Sequence, residues 1–261
     1  MLRKIMKFAW APIAAILLCS ASWMFVPTPA SSFTNTKSLT LVDADDHMTV
    51  PHASAINFDG TGAFSVSTWF YQTSTGNGDR FMGKGTDTTN LWELTLAGTT
   101  RRIAGYFMVT YGVDHLDFVT AISQFSGSTW YHLLWTYDGS KTNAGIKWYL
   151  NGSNVAQALI DGTSPITGTI GSTDDLWIGD SASAFATQFV GQLDEVSIYN
   201  SELSSSDATA LYNGGDPKNI STLSSYSSCV AWWRFEDNTD DSKGTNDGTL
   251  NSNAGYSSNV P

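Results

Sequence analysis

Ser128–Gly152 reads S-T-W-Y-H-L-L-W-T-Y-D-G-S-K-T-N-A-G-I-K-W-Y-L-N-G. An aromatic-rich run from Trp130 to Tyr137 ends at Asp138-Gly139, and a second run from Ile146 to Leu150 ends at Asn151-Gly152. Strands rich in aromatic and aliphatic residues, cut by Asp-Gly and Asn-Gly pairs, are the strongest short-range signature of antiparallel hairpins. Asp, Asn and Gly accept at low cost the positive φ that tight turns require. The stretch therefore predicts two hairpin turns inside an all-β domain.

The same grammar continues on both sides. Phe64 to Tyr71 (F-S-V-S-T-W-F-Y) alternates, which puts Phe64, Val66 and Phe70 on one face. Further short runs are Arg80 to Lys84, Leu91 to Ala97, Arg101 to Val109, His115 to Thr120, Val155 to Ile160, Asp175 to Gly179 and Gly191 to Tyr199. Ser38 to Val50 reads as two short strands around the acidic turn of Asp43, Asp45 and Asp46. Many short strands with regular turn signals mean a sandwich or barrel. One helix is expected from Leu203 to Asn213, with Ser204 and Asp207 as a capping box and Gly214-Gly215 as its stop. A Ser-rich connector follows, then a strong strand from Cys229 to Glu236. The polar tail beyond it lacks apolar periodicity and is expected to wrap over the surface.

Of the 261 residues, 41% are hydrophobic and 14% charged, enough for a large core. The formal charge of −11 argues against a nucleic-acid partner, because phosphate binding needs clustered Lys and Arg. Arg3, Lys4 and Lys7 precede an apolar run from Phe8 to Val26, the layout of a secretory signal with cleavage after Ala30. The run is also nearly long enough to remain as an uncleaved membrane anchor. Residues 1–30 are therefore set apart from a domain over 31–215 and from a connector plus strand over 216–261. Removing Cys19 would leave Cys229 alone, a small buried apolar residue in its plainest reading.

The succession W-Y-H-L-L-W-T-Y-D-G-S, W-Y-L-N-G, W-I-G-D-S and F-V-G-Q-L-D-E-V-S-I-Y-N-S-E-L-S resembles the LamG-like jelly-roll domains. These belong to the concanavalin A-like lectin/glucanase superfamily, which includes laminin G domains and pentraxins. The resemblance spans about Leu39 to Gly215 and implies an all-β, two-sheet antiparallel jelly-roll sandwich with one short helix. The segment V-A-W-W-R-F-E-D resembles an element that usually opens such domains, yet here it closes the chain. It would either complete the same sandwich from the other end or begin a truncated repeat.

Candidate site residues follow. In a regular strand Asp194 and Glu195 point to opposite faces, with Asp194 beside Val196 and Ile198 on the buried side. A buried carboxylate needs donors, an arginine or a metal. Asp194 is expected either to pin a neighbouring loop or Arg234, or to join Asp45 and Asp46 in an edge calcium site. The resemblance to pentraxins implies calcium ligands in the loop holding Asp87 and Asn90 and at Asp180, residue types that suit calcium. The plainer reading is that Asp and Asn in loops form turns. Trp92, beside that loop, is singled out as a ligand platform, against ordinary sheet packing. Trp69, Trp135, Trp148 and Trp177 read as core, and so does His132. Retaining glucanases need paired carboxylates, whereas Leu91 to Ala97 offers Glu93 alone. The four histidines have no HExxH or triad-like context, so no enzyme is expected.

The expectation is a secreted or surface-displayed binding module for glycans or a cell-surface partner, with calcium as a candidate cofactor. The alternatives are a self-assembling structural subunit of a cell-surface or virion layer and, third, a glucanase-type hydrolase.

Overall fold

The computed structural model describes residues 33–43, 45–73, 79–86, 88–97, 99–180 and 187–261. The N-terminal segment read as a signal or anchor, and Asp87, lie outside them. Phe33–Pro261 form one compact unit.

The chain runs β1 (Ser38–Leu41), β2 (His47–Val50), β3 (Phe64–Gln72), β4 (Asp79–Thr86), β5 (Thr89–Ala97) and β6 (Arg102–Thr110). It continues β7 (Asp114–Thr120), β8 (Trp130–Tyr137), β9 (Ile146–Leu150), β10 (Ser153–Val155), β11 (Gln157–Gly162) and β12 (Leu176–Ile178). Then come β13 (Thr187–Gln188), β14 (Gly191–Tyr199), helix α1 (Ser205–Tyr212), β15 (Cys229–Trp233), β16 (Thr249–Asn251) and β17 (Gly255–Ser257). The first sheet has the order β10-β9-β8-β3-β14-β1-β17, with β15 also pairing β14. The second has the order β11-β7-β6-β5-β4-β12-β2-β16, joined by β13. Pairing is antiparallel except where the two residues of β13 lie parallel to β4. This is the jelly-roll sandwich.

Ser128–Gly152 supplies the middle of the first sheet. Leu133, Trp135, Tyr137, Ile146, Trp148 and Leu150 face the second sheet and enter the core between the two. Phe64 on β3 meets Trp135 edge-on at 5.2 Å, and Phe107 on β6 meets Tyr137 edge-on at 4.8 Å. Such pairs add about 0.5–1.5 kcal/mol each beyond their buried area. The polar end of Tyr137 is satisfied by donation to Gly60 O at 2.8 Å.

The two expected turns differ. Asn151 (φ 49°) and Gly152 (φ 74°) form a two-residue turn closed by the Leu150–Ser153 pair, as an Asn-Gly hairpin should. Asp138-Gly139 instead opens a longer loop that passes through a 3-10 turn at Asn143–Gly145 before β9. Asp138 Oδ1 accepts from Ser140 N at 2.8 Å and holds the loop's start. Side-chain capping of this kind lets Asp begin a wide turn as readily as a tight one.

Helix α1 begins at Ser204, whose hydroxyl accepts from Asp207 N while Asp207 Oδ2 accepts from Ser204 N, the reciprocal capping box. Asn213, in the left-handed conformation at φ 48°, ends it ahead of the two glycines. The polar tail is not a surface wrap throughout. Leu250 pairs with Met48 of β2, and Tyr256 with Leu39 of β1. Such edge pairing runs through the backbone, so it leaves little apolar periodicity to read. No helix of the described residues is long and apolar enough to cross a membrane.

Candidate functional site

The outer faces of the two sheets differ. On the first, α1 and the connector close over the strands, and Leu203, Ala208, Leu211 and Ile220 pack on Leu134, Tyr149 and Tyr199 in a second small core. Within this layer His132 Nε2 and Ser67 Oγ share a 2.9 Å hydrogen bond, and burial pushes the ring down to about 3. It is a neutral packing histidine. Cys229 also sits here, its thiol pushed up to about 12 by burial, and so is unreactive.

The Asp194–Glu195 pair corrects the simple alternation. The β14–β3 register slips between Asp194 and Ser197, and Glu195 adopts φ 50°. This is a β-bulge, which inserts one residue and re-aims those around it. Asp194 lies opposite Trp69 and Ser197 opposite Ser67, so Asp194 leaves the inner face that Val196 and Ile198 occupy. Both carboxylates then turn to the first sheet's outer side and are buried there. Asp194 Oδ2 accepts from Asn35 Nδ2 at 2.8 Å, and its Oδ1 accepts from Glu195 N at 2.9 Å. Glu195, not Asp194, takes Arg234, at 3.4 Å.

The second sheet's outer face carries a polar and aromatic row. Register places Thr49, Trp177, Gly83, Glu93, Tyr106, Asp117 and Asp161 side by side across β2, β12, β4, β5, β6, β7 and β11. Their strand neighbours Trp92, Leu94, Phe107, Leu116 and Phe118 point into the core, so the row points away from it. Trp177, expected in the core, is half-buried on this face and stacks on His47 at 4.1 Å. Glu93 is 1% exposed and pairs with Arg80 Nε at 2.7 Å. Asp117 stands two strands from it, about 10 Å away. Retaining glycosidases need their carboxylates about 5 Å apart.

The row opens at its β6–β7–β11 end. A recess of about 330 Å³ is lined by Tyr106, Met108, Tyr111, Gly112, His115, Asp117 and Asp161. Asp117 Oδ1 and His115 Nδ1 are buried and meet no hydrogen-bond partner. Burial pushes the Asp117 carboxyl up to about 6, with His115 opposing and Asp161 adding to the rise. Burial, then the nearby Asp117 and Glu93 charges, push the Tyr106 phenol up to about 12, so it remains a neutral donor. Tyr111 at the rim is 70% exposed, and its neighbour Val113 is 69% exposed. Acceptors, an imidazole and exposed aromatic surface therefore converge on one opening. No sequence motif marked these residues. The alternation of Tyr106 and Met108 against Ile103 and Phe107 was readable, but which strands stood beside them was not.

The residues singled out from sequence go elsewhere. Trp92 is 1% exposed, with its ring against Phe64 and Trp135, so no face is left for a ligand. Asn90 (φ 55°) sits where β5 leaves the β4–β5 turn, opposite the stretch between Lys84 and Thr86. Asp180 follows Gly179, whose N–H bonds Phe81 O, near the other end of β4. Four residues of strand, about 13 Å, separate Phe81 from Gly85, which rules out one ion shared by Asn90 and Asp180. Asp46 accepts from the N–H groups of Val42, Asp43 and Asn253 at 2.7–2.9 Å, so both its oxygens are committed to backbone. Asp194 follows Leu193, the partner of Leu39, about 10 Å along β1 from Val42. Asp45 is exposed. The edge trio is therefore not assembled, and among the described residues no three His, Cys, Asp or Glu side chains group to hold a metal.

Residues 42–209 match the family Laminin_G_3, described as the Concanavalin A-like lectin/glucanases superfamily, and the chain belongs to it. A putative carbohydrate binding protein from Bacteroides ovatus aligns at 15% identity and TM-score 0.56, over 86% of this chain and 60% of its own. The binding domain of botulinum neurotoxin serotype G aligns at 14% identity and TM-score 0.51, over 67% of this chain and 42% of its own. A heptameric SAP-like pentraxin from Limulus polyphemus aligns at 14% identity and TM-score 0.50, over 83% of this chain and 96% of its own. The chain thus spans less than two thirds of the first two. At these identities the likeness is one of fold. No curated protein matches the sequence.

Proposed function

We propose that this protein is a non-catalytic carbohydrate-binding module that holds a saccharide in the Tyr106–Asp117–Asp161 recess. The observation that carries this reading is the pair of buried, unpartnered polar atoms there, Asp117 Oδ1 and His115 Nδ1. A buried polar group without a partner costs about 1–3 kcal/mol, which a ligand hydroxyl would recover once the Asp117 and His115 side chains turn toward the opening. Tyr111 adds an exposed aromatic ring at the rim for the C–H face of a sugar. Binding pockets of this kind pair apolar surface with a few converging polar groups. The family and the Bacteroides ovatus neighbour, whose description names carbohydrate binding, support the same reading.

An exported protein fits the signal-like layout of residues 1–30, and an extracellular location is part of the proposal. A glycan array read with the full chain and with Asp117→Ala tests it. Retention of a defined glycan class, lost in Asp117→Ala while the melting temperature holds, supports the reading. Equal retention by both proteins, or none by either, sinks it.

A further inference from the structure

The face that holds the recess carries a second one. About 250 Å³ in volume, it is lined by Arg102, Val119, Ala121 and Ala158 among others. Arg102 and Tyr106 lie on the same face of β6, four residues or about 13 Å apart, and Val119 and Asp117 lie on the same face of β7. The two recesses are thus consecutive along the same strands.

Among the described residues Arg102 differs from the other arginines. Arg80 pairs with Glu93, Arg234 with Glu195, and Arg101 donates to Gln72 Oε1 at 3.0 Å. Arg102 Nε is buried and meets no acceptor, and Arg102 is in none of the ion pairs among the described residues. Arg102 is half-buried, with no carboxylate beside it among the described residues, and the planar fork of a guanidinium suits a carboxylate or sulfate held by two hydrogen bonds. Val119, Ala121 and Ala158 line the recess beside it with apolar surface, on which the carbon skeleton of a ligand can lie. The chain's charge of −11 repels stray anions. The neighbouring recess would have to hold the rest of the ligand in place.

We infer that the ligand is an acidic oligosaccharide, with its carboxylate or sulfate on Arg102 and a hydroxylated residue in the Tyr106–Asp117 recess. The inference rests on the proposed saccharide site and narrows its substrate class.

The test uses matched glycan pairs: uronate-bearing oligosaccharides with their carboxyl-reduced forms, and sulfated ones with their desulfated forms. They are titrated against the full chain, Arg102→Gln and Arg102→Lys. In at least one series the acidic member should bind about tenfold more tightly, the difference expected of hydrogen bonds to a charged group. Arg102→Gln should bring it to the level of the neutral member, and Arg102→Lys should restore part of the gap. The series showing the gap identifies the anion. Equal binding of acidic and neutral members, or a preference that survives Arg102→Gln, overturns the inference while leaving the saccharide site standing. Absence of any saccharide binding overturns both.

Discussion

Glu195 Oε2 accepts a 2.6 Å hydrogen bond from the indole N–H of Trp232, a contact that ties β14 to β15 across 37 residues of sequence. The β-bulge makes it, because φ 50° at Glu195 turns both acidic side chains to the first sheet's outer side. The same layer receives Asn35 from the stretch just before β1. Burial pushes the Glu195 carboxyl up to about 8, against the pull of an Arg234 contact that is long for a charged pair. Burial and the neighbouring Glu195 charge push Asp194 up as well.

A folded-state pKa above the unfolded value means that the folded chain keeps a proton the unfolded chain releases. Stability from Glu195 is therefore full below about pH 4.5 and is lost as pH rises towards about 8. Asp194 acts in the same direction. At about 1.4 kcal/mol per pKa unit, the loss across this window is on the order of a few kcal/mol. Urea unfolding at pH 5 and pH 8 should show it, and Glu195→Gln should flatten the slope. A wild-type stability that rises through this window would contradict the assignment.

Asp46 holds three backbone N–H groups, two from its own turn and one from Asn253 near the C-terminus, while fully buried. Asp46→Ala should cost about 2–4 kcal/mol, since it strands buried donors that had a charged acceptor. Chemical denaturation measures the loss. A change under about 0.5 kcal/mol, usual for a featureless surface site, would mean that the clamp is not made in solution.

Trp92 is core, so its role separates from binding. Trp92→Ala should destabilise by about 3–5 kcal/mol through the cavity it leaves. Trp92→Phe should keep saccharide affinity within about twofold, a difference of under half a kcal/mol. A large loss of affinity in a stably folded Trp92→Phe protein would restore Trp92 as a ligand contact.

Asp117 should make binding sensitive to acid. Its carboxyl, raised to about 6, accepts from sugar hydroxyls best when ionised, so affinity should fall as pH drops from 7 to 5. Asp117→Asn should bind more weakly at pH 7 and lose that dependence. Titration calorimetry at both pH values checks it, and an unchanged acid dependence in Asp117→Asn would assign it to another group.

The fold was legible because its signals are local: aromatic alternation in Trp130 to Tyr137, the Asn151-Gly152 turn and the Ser204–Asp207 box. The site was not, for two physical reasons. A strand's period shows which residues share its face, but register decides which strands stand alongside, and the row from Trp177 to Asp161 exists only through register. A bulge leaves no mark in residue type, so Asp194 and Glu195 read as a regular alternating pair until Glu195's φ shows otherwise. Trp92 left two readings open, ligand platform or sheet packing, and its partner strands decide for packing by enclosing it.

Hydrogen exchange of the full chain, free and saturated with the tightest glycan from the array, tests the central claim most directly. The account predicts slowed exchange in β6, in the β6–β7 turn through Tyr111, and in β7 through Asp117, with little change in β8, β9 and α1. Protection confined to the first sheet or to α1 under saturating glycan would place the ligand elsewhere and contradict it.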